Sequence, residues 1–428
     1  MNFFKSRRKE DPENNVLRFD GKKYVFISLY LLIFLVINNR KSFYKNLTFS
    51  FPETYKIITF SMSVGMIYPN PQTEKFRILA IPITAPFMFA VFYDVYFLWL
   101  AKDIVNIIRH STVLGPFLGG FFKNIMMFYK RHPSKALIDE MDRDYKIYNS
   151  YTGKYREMAR AGVRNSQIFS ERCWFINVFI CVTIFAVMAI IQNIYGSLFA
   201  PEPIQFMIHD VNRPGNYPPE AKFESPYFEI FFGYQLLCSL FYIVNFVGYD
   251  GFYGLVCNHA CMKMSFYCKQ LEDAMQSDDV EKKVIEVINE QNRMYEFVET
   301  IHDAFSIWLG VIFIATMIQI CCCLYHITEG YGFDLRYMIF VTGAVIHIYL
   351  PCRYAAKMKA KALETSSLIY CCGWEGIDDP RVQRMLPFMI ARAQNPITIT
   401  GFYMIDFDME LFVSIMQTSY SMYTLLSS

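Results

Sequence analysis

Met409-Glu-Leu-Phe-Val-Ser-Ile-Met-Gln-Thr-Ser-Tyr-Ser-Met-Tyr-Thr-Leu-Leu-Ser-Ser428 closes the chain. About 20 helical residues, rising 1.5 Å each, span roughly the 30 Å hydrocarbon core of a bilayer. No charge follows Glu410, yet the stretch is rich in hydroxyls. Ser414, Gln417, Ser421, Thr424 and Ser428 recur three or four residues apart, so they share one helical face. In lipid such groups must meet other helices or water. Two readings follow: hydroxyl glue between neighbouring helices, or the wall of an aqueous pore shared by several subunits.

Composition extends the membrane reading to the whole chain. Of 428 residues, 54% are hydrophobic and only 19% charged, where a soluble protein carries about 25% charge. Apolar runs of spanning length fall at about 78–100, 104–129, 174–199, 227–257, 304–327, 336–356 and 409–428. The expected fold is therefore an all-α polytopic membrane protein with seven transmembrane helices. Lys and Arg set its direction. The segment before the first span and those between spans two and three, four and five, and six and seven hold 34 of them, against three in the alternate loops, with Arg109, Lys123, Arg336 and Arg353 inside spans. That asymmetry predicts a cytosolic N-terminus and an extracellular C-terminus. It is the reverse of the G-protein-coupled receptors, whose motifs are also missing: Asp142-Arg143-Asp144 lies well outside a span, and no Tyr follows Asn395-Pro396.

The segments outside the spans have their own order. Residues 1–77 form a cytosolic or interfacial N-terminal segment, in which the apolar run 24–37 is short and flanked by basic residues, and 51–68 is an amphipathic stretch suited to the membrane surface. Residues 130–172 and 258–303 are polar but periodic. Val284, Ile288, Met294, Val298 and Ile301 line one side of a helix expected to run into span five. With 357–408, these segments read as cytosolic helical extensions that pack on one another.

No catalytic constellation emerges. Seven histidines are scattered, no nucleophile and base are paired by spacing, and no Gly-rich phosphate loop is present. Neither an enzyme, a cofactor nor a nucleic-acid partner is expected. Cys257-Asn-His259-Ala-Cys261 lacks the second pair that a zinc site needs. Asp94 and Glu229 fall near the outer membrane depth and Asp250 toward the inner end, in Gly248-Tyr-Asp-Gly251. Each is either functional or held by an interhelical hydrogen bond. Aromatic and sulfur side chains cluster in the outer halves of three spans: Met188, Ile191 and Tyr195; Phe228, Phe231, Phe232 and Tyr234; and Tyr337, Met338 and Phe340. A pocket so lined would bind a small apolar ligand by burial, at about 25 cal/mol per Å², with Tyr hydroxyls fixing its orientation. Ordinary helix packing is the alternative for each residue.

Two stretches carry a resemblance. Gln417-Thr-Ser-Tyr-Ser-Met-Tyr-Thr-Leu-Leu426 resembles the C-terminal signature of insect odorant receptors, in which a Ser-Tyr-Ser-Tyr-Phe-Thr-Leu-Leu run closes the last helix. Met385-Leu-Pro-Phe-Met-Ile-Ala-Arg-Ala-Gln-Asn-Pro-Ile-Thr-Ile-Thr-Gly401 is similar to the segment before it, while Met422-Tyr423 departs from the usual Tyr-Phe. The resemblance implies a ligand-gated cation channel in the plasma membrane, with a binding site among spans two to six and a cytosolic anchor joining four subunits. It implies a pore lined by the terminal helix, with its gate position on Leu425. It also implies assembly with the shared coreceptor, because the 46 or so residues between spans four and five lack that protein's long insertion. A gustatory receptor of the same architecture lacks its usual ending here. A secondary transporter lacks the paired broken helices it would need.

Overall fold

The computed structural model describes residues 49–427 apart from 66, 70–79, 200–204, 216 and 331–333. The apolar run 24–37 and Ser428 lie outside them. The described chain is helical almost throughout: α1 (Phe51–Thr54), α2 (Lys56–Val64), α3 (Ala80–Leu100), α4 (Ile104–Tyr129), α5 (Arg131–Ser150), α6 (Gly153–Ser166), α7 (Trp174–Phe199), α8 (Tyr227–Ala274), α9 (Val280–Tyr325), α10 (Leu335–Tyr370), α11 (Pro380–Gln394) and α12 (Met409–Ser427). A π-helical stretch, Gln167–Cys173, joins α6 to α7.

Helices stand at all seven expected spans. Five helical stretches are long and apolar enough to cross a membrane, within 82–100, 153–199, 227–274, 280–328 and 335–376. The other two, α4 and α12, carry more polar groups: α4 holds Arg109, His110 and Lys123, and α12 the hydroxyl ladder. α8 is one unbroken helix of 48 residues and α9 one of 46, so the expected boundaries at 257 and 304 are not breaks. Both run far past one end of the bundle, called here the extension end. The connection 205–226 lies at the other, the loop end.

The amphipathic stretch after residue 50 spends its apolar face on protein. Ile58 and Met62 are buried against α8 at Gly251 and Gly248, where an added Cβ would meet Ile58 Cδ1 at 2.8 Å and Met62 Cγ at 3.0 Å. Phe60 and Val64 point away from the bundle. Polar clamps fix this segment. The Ile57 N–H donates to Glu171 Oε1 at 2.7 Å, Gln167 Nε2 donates to the Thr54 carbonyl at 2.7 Å, and the Tyr55 and Tyr145 hydroxyls share a hydrogen bond of 2.7 Å.

The segment before the terminal helix forms a small hairpin, Thr400–Gly401 pairing antiparallel with Ile405–Asp406. Phe402 and Tyr403 turn with positive φ, 51° and 60°, a conformation that costs about 1–3 kcal/mol for such residues and persists only where neighbours enforce it. α9 supplies them. The Phe402 and Tyr403 N–H groups donate to the Ser306 carbonyl and Oγ, each at 2.9 Å, and the Phe402 ring lies on Gly310.

At the extension end, charge is buried and paired. Asp144 accepts from Lys263 Nζ at 2.7 Å and lies 2.8 Å from His259 Nε2, while Glu140 accepts from Lys263 at 2.9 Å and from Arg293 at 2.8 Å. His259 is thereby occupied by a carboxylate. Among the described residues no group of metal ligands forms, and all twelve cysteines are free thiols. Burial works to raise the Asp144 pKa, but His259 and Lys263 outweigh it and hold the carboxyl below its ordinary value. The stability it contributes is therefore full above the unfolded carboxylate pKa, near 4, and is lost only as pH falls through the lower folded value.

Removing this carboxylate leaves Lys263 and His259 buried without their shared partner. Asp144→Ala is expected to destabilise the protein by about 3–5 kcal/mol, read as a clear fall in the melting temperature of the solubilised protein. A melting temperature equal to the parent's would show that the cluster is not holding α5 to α8.

Candidate functional site

Five helices diverge around a cavity of about 110 Å³. α4 contributes Gly115 to Lys123, α7 Trp174 to Phe185, α8 Ser239 to Phe246, α9 Trp308 to Gln319 and α10 Phe340 to His347. The α7 residues Val178, Cys181, Val182 and Phe185 are spaced three, four and seven apart, one face of the helix. Its size is comparable with the roughly 150 Å³ apolar cavities that accept benzene. Close helix approach shapes one wall: at Gly343 an added Cβ would meet Cys181 Sγ at 2.2 Å.

The floor holds a buried ion pair. Lys123 Nζ donates to Asp250 Oδ2 at 2.7 Å, and His347 Nε2 lies 2.9 Å from the same oxygen. Aromatic surface covers the pair. Lys123 Nζ is 3.4 Å from the Phe246 ring centroid, Trp174 stacks on His347 at 5.4 Å, and the Trp174 Nε1–H donates to the Phe246 carbonyl at 3.0 Å. A charge already paired and covered by rings offers a ligand aromatic surface rather than a free ammonium. The cavity therefore suits a neutral, largely apolar molecule.

Of the residues expected to bind ligand, the structure brings Phe340 to this cavity. The others stand elsewhere. Ile191 is 53% exposed and Tyr195 64% exposed, and Met188 lies a turn above the α7 wall. Phe228 and Phe232 meet at a tilt, Phe231 lies against Tyr227 and Phe87, and Tyr337 packs on Phe185 and His326. Tyr234 has a structural task. Pro86 interrupts α3, and the Tyr234 hydroxyl fills the gap, accepting from the Phe87 N–H at 3.1 Å and donating to the Ile83 carbonyl at 2.7 Å.

The offset is consistent: the cavity lies one to two turns deeper than the outer halves of the spans. Trp174, Trp308, Lys123 and His347 were not foreseen, nor was His209, which enters from the 205–226 connection. A Trp or a basic residue inside an apolar run is the signal that points to them. The carboxylates separate in kind. Asp94 accepts from Asn212 Nδ2 at 2.7 Å and sits 3.2 Å from His110, a structural tie, while Glu229 is exposed and Asp250 lies under the cavity.

On α12 the described ladder residues Ser414, Gln417, Ser421 and Thr424 are all exposed, as is Leu425 at 77%. The helix is held to α9 and α10 by a narrow face on which only Ile415 and Ser419 are buried. The ladder is therefore not glue within this chain.

Comparison with known proteins gives one family. The model described as 7tm Odorant receptor matches residues 103–420. Odorant receptor 13a of Drosophila melanogaster is 26% identical over 156 residues, covering 33% of this chain and 37% of that protein. Odorant receptor 56a of the same species is 28% identical over 149 residues, covering 33% of this chain and 34% of that protein. The chain thus spans about a third of the length of these curated relatives. In fold it is similar to the olfactory receptor OR5 of Machilis hrabei solved with eugenol, with a TM-score of 0.69 at 13% identity, covering 87% of this chain and 99% of that one.

Tyr234→Phe removes the bridging hydroxyl and strands the Phe87 N–H and the Ile83 carbonyl. We expect a loss of about 1–3 kcal/mol, seen as a lower melting temperature. The order in which ligands act should not change. A reordered ligand preference at unchanged stability would return Tyr234 to the binding site.

Proposed function

The chain belongs to the 7tm odorant receptor family, and on that premise we propose that it is a subunit of an odorant-gated, non-selective cation channel. Members of this family are multi-pass membrane receptors, not enzymes. In this reading a small volatile molecule enters the cavity between α4, α7, α8, α9 and α10, and the pore is lined by α12. The working assembly is a heterotetramer with the odorant coreceptor, whose subunits meet at the extension end on the cytosolic side. One observation carries the reading: α9 and α10 wall the cavity and also hold a terminal helix whose polar face is left unpacked. The Machilis hrabei receptor of the same fold was solved with eugenol, which is a neutral, largely apolar molecule.

Membrane current in cells expressing the chain with and without the coreceptor, under a panel of volatile compounds, tests this directly. Odorant-evoked cation current is expected only in the co-expressing cells. Gly343→Val should push Cys181 and new methyl groups into the cavity and lower sensitivity about tenfold or more. A response that survives Gly343→Val unchanged would place the ligand somewhere else.

The pore has a separate test. Neutral hydroxyls and amides replace part of an ion's hydration without fixed charge, so selectivity among Na⁺, K⁺ and Ca²⁺ should be weak, with a narrow apolar ring as the gate. Ser421→Cys and Thr424→Cys should react with water-soluble thiol reagents faster in the open channel, and Leu425→Ala should raise basal current or alter divalent permeation. If neither cysteine reacts in either state and Leu425→Ala changes nothing, the ladder serves contacts between subunits instead.

A further inference from the structure

The connection between α7 and α8 dips into the bundle. Met207, Ile208 and Val211 are buried, and Asn212 is bound through both its N–H and its side chain to Asp94. Between these anchors the main chain of His209 is clamped by one fully buried amide: its N–H donates to Gln235 Oε1 at 3.2 Å, and its carbonyl accepts from Gln235 Nε2 at 2.8 Å. The clamp satisfies the backbone and leaves the ring to do something else. The imidazole lies among three phenyl rings, its centroid 5.1 Å from Phe117, 5.7 Å from Phe185 and 5.8 Å from Phe87, and it faces the cavity from the loop end. It makes no hydrogen bond to any described residue.

Burial, reinforced by the positive charge of Arg336 and of His110, pushes the His209 pKa down to about 3. The ring is neutral throughout the physiological range, with one N–H to donate and one nitrogen to accept. This excludes a pH sensor. Among the described residues it belongs to no group of three or more metal ligands. Enclosing an imidazole with its hydrogen bonds unspent is costly unless a partner arrives.

We propose that His209 is a specificity-determining residue of the cavity, selecting neutral molecules that carry one oxygen function, a hydroxyl above all, on a small apolar body. The oxygen sits at the loop end against the imidazole. The apolar body lies below it, toward Trp174 and Trp308. A hydroxyl suits a neutral imidazole because it answers either nitrogen, accepting from the N–H or donating to the bare nitrogen, whichever tautomer is present. This deepens the odorant-binding reading and rests on it, since it assumes that the cavity takes ligand at all.

The test uses an isosteric pair, p-cresol and p-xylene, which differ by a hydroxyl in place of a methyl. Both are titrated into the full-length protein in lipid nanodiscs, with the change in tryptophan emission, to which the cavity's Trp174 and Trp308 contribute, as the readout and protein-free nanodiscs as the blank. The parent protein should bind p-cresol about tenfold more tightly than p-xylene. His209→Phe should bring the ratio to about one while keeping p-xylene affinity, and His209→Gln, which still donates and accepts, should retain part of the preference. Equal affinities in the parent, or an unchanged ratio in His209→Phe, overturns the assignment and leaves the cavity standing. Loss of both ligands in both variants makes His209 a structural wedge. Binding of neither ligand by the parent overturns the cavity reading together with this one.

Discussion

A helix enclosed on all sides has to satisfy every polar group it carries from its neighbours, and α8 carries Asp250, Asn258, His259 and Lys263 along a buried length. Each is answered by named neighbours. Asp250 takes Lys123 of α4 and His347 of α10, Asn258 takes Ser170 and Lys357, and His259 with Lys263 takes Asp144 of α5. Apolar packing alone tolerates a neighbour that slides by a turn. A buried charge does not, because the unpaired state costs several kcal/mol. Gly248, Gly251 and Gly254 complete the constraint by admitting α2 and the 167–173 stretch to close contact, so the polar pairs set register and the glycines set distance.

The cavity follows from the same arrangement. Around the Asp250 pair the helices are drawn together, and at the loop end they are tied by Asp94, Asn212 and Gln235. Between these two belts the space is lined largely by apolar surface, including the rings of Phe117, Phe185, Tyr242 and Phe246. The rings contact one another edge-on or tilted, Phe117 on Tyr242 at 4.3 Å and Phe185 on Phe340 at 5.3 Å, and together they form the cavity's apolar wall.

What could be read from the sequence followed the physics of each signal. Period and length placed 104–129 and 174–199 with the bounds that α4 and α7 have, and the stripe of Val284, Ile288, Met294, Val298 and Ile301 announced a helix that does run on into span five. The hairpin after Asn395-Pro396 was hidden, because its positive-φ turn is imposed by Ser306, almost a hundred residues earlier. Of the residues expected to bind ligand, only Phe340 lines the cavity, for a related reason. Periodicity tells which residues share a face but not the depth at which five faces part. Tyr234 shows the limit well: as an aromatic with a hydroxyl it reads as a ligand contact, and only its position opposite Pro86 turns it into a repair of the α3 backbone.

The polar ladder of α12 and the imidazole of His209 pose the same question at opposite sides of α9. The imidazole makes no hydrogen bond to any described residue, and the ladder, though Ser421 and Thr424 donate to carbonyls of their own helix, turns its polar face to no other described helix. A folded protein leaves few such groups unmet, since each buried one costs about 1–3 kcal/mol. The answers must come from outside the chain. For α12 they come from water and ions, or from other subunits, and for His209 from a molecule small enough to enter the cavity. α9 stands between the two, with Trp308, Ile312 and Thr316 toward the cavity and Ile415 of α12 packed into the core that it shares with α12. In the proposed channel, a ligand seated against His209 presses on α9, the helix that holds α12, and the fold needs no longer path than that to join binding to the pore.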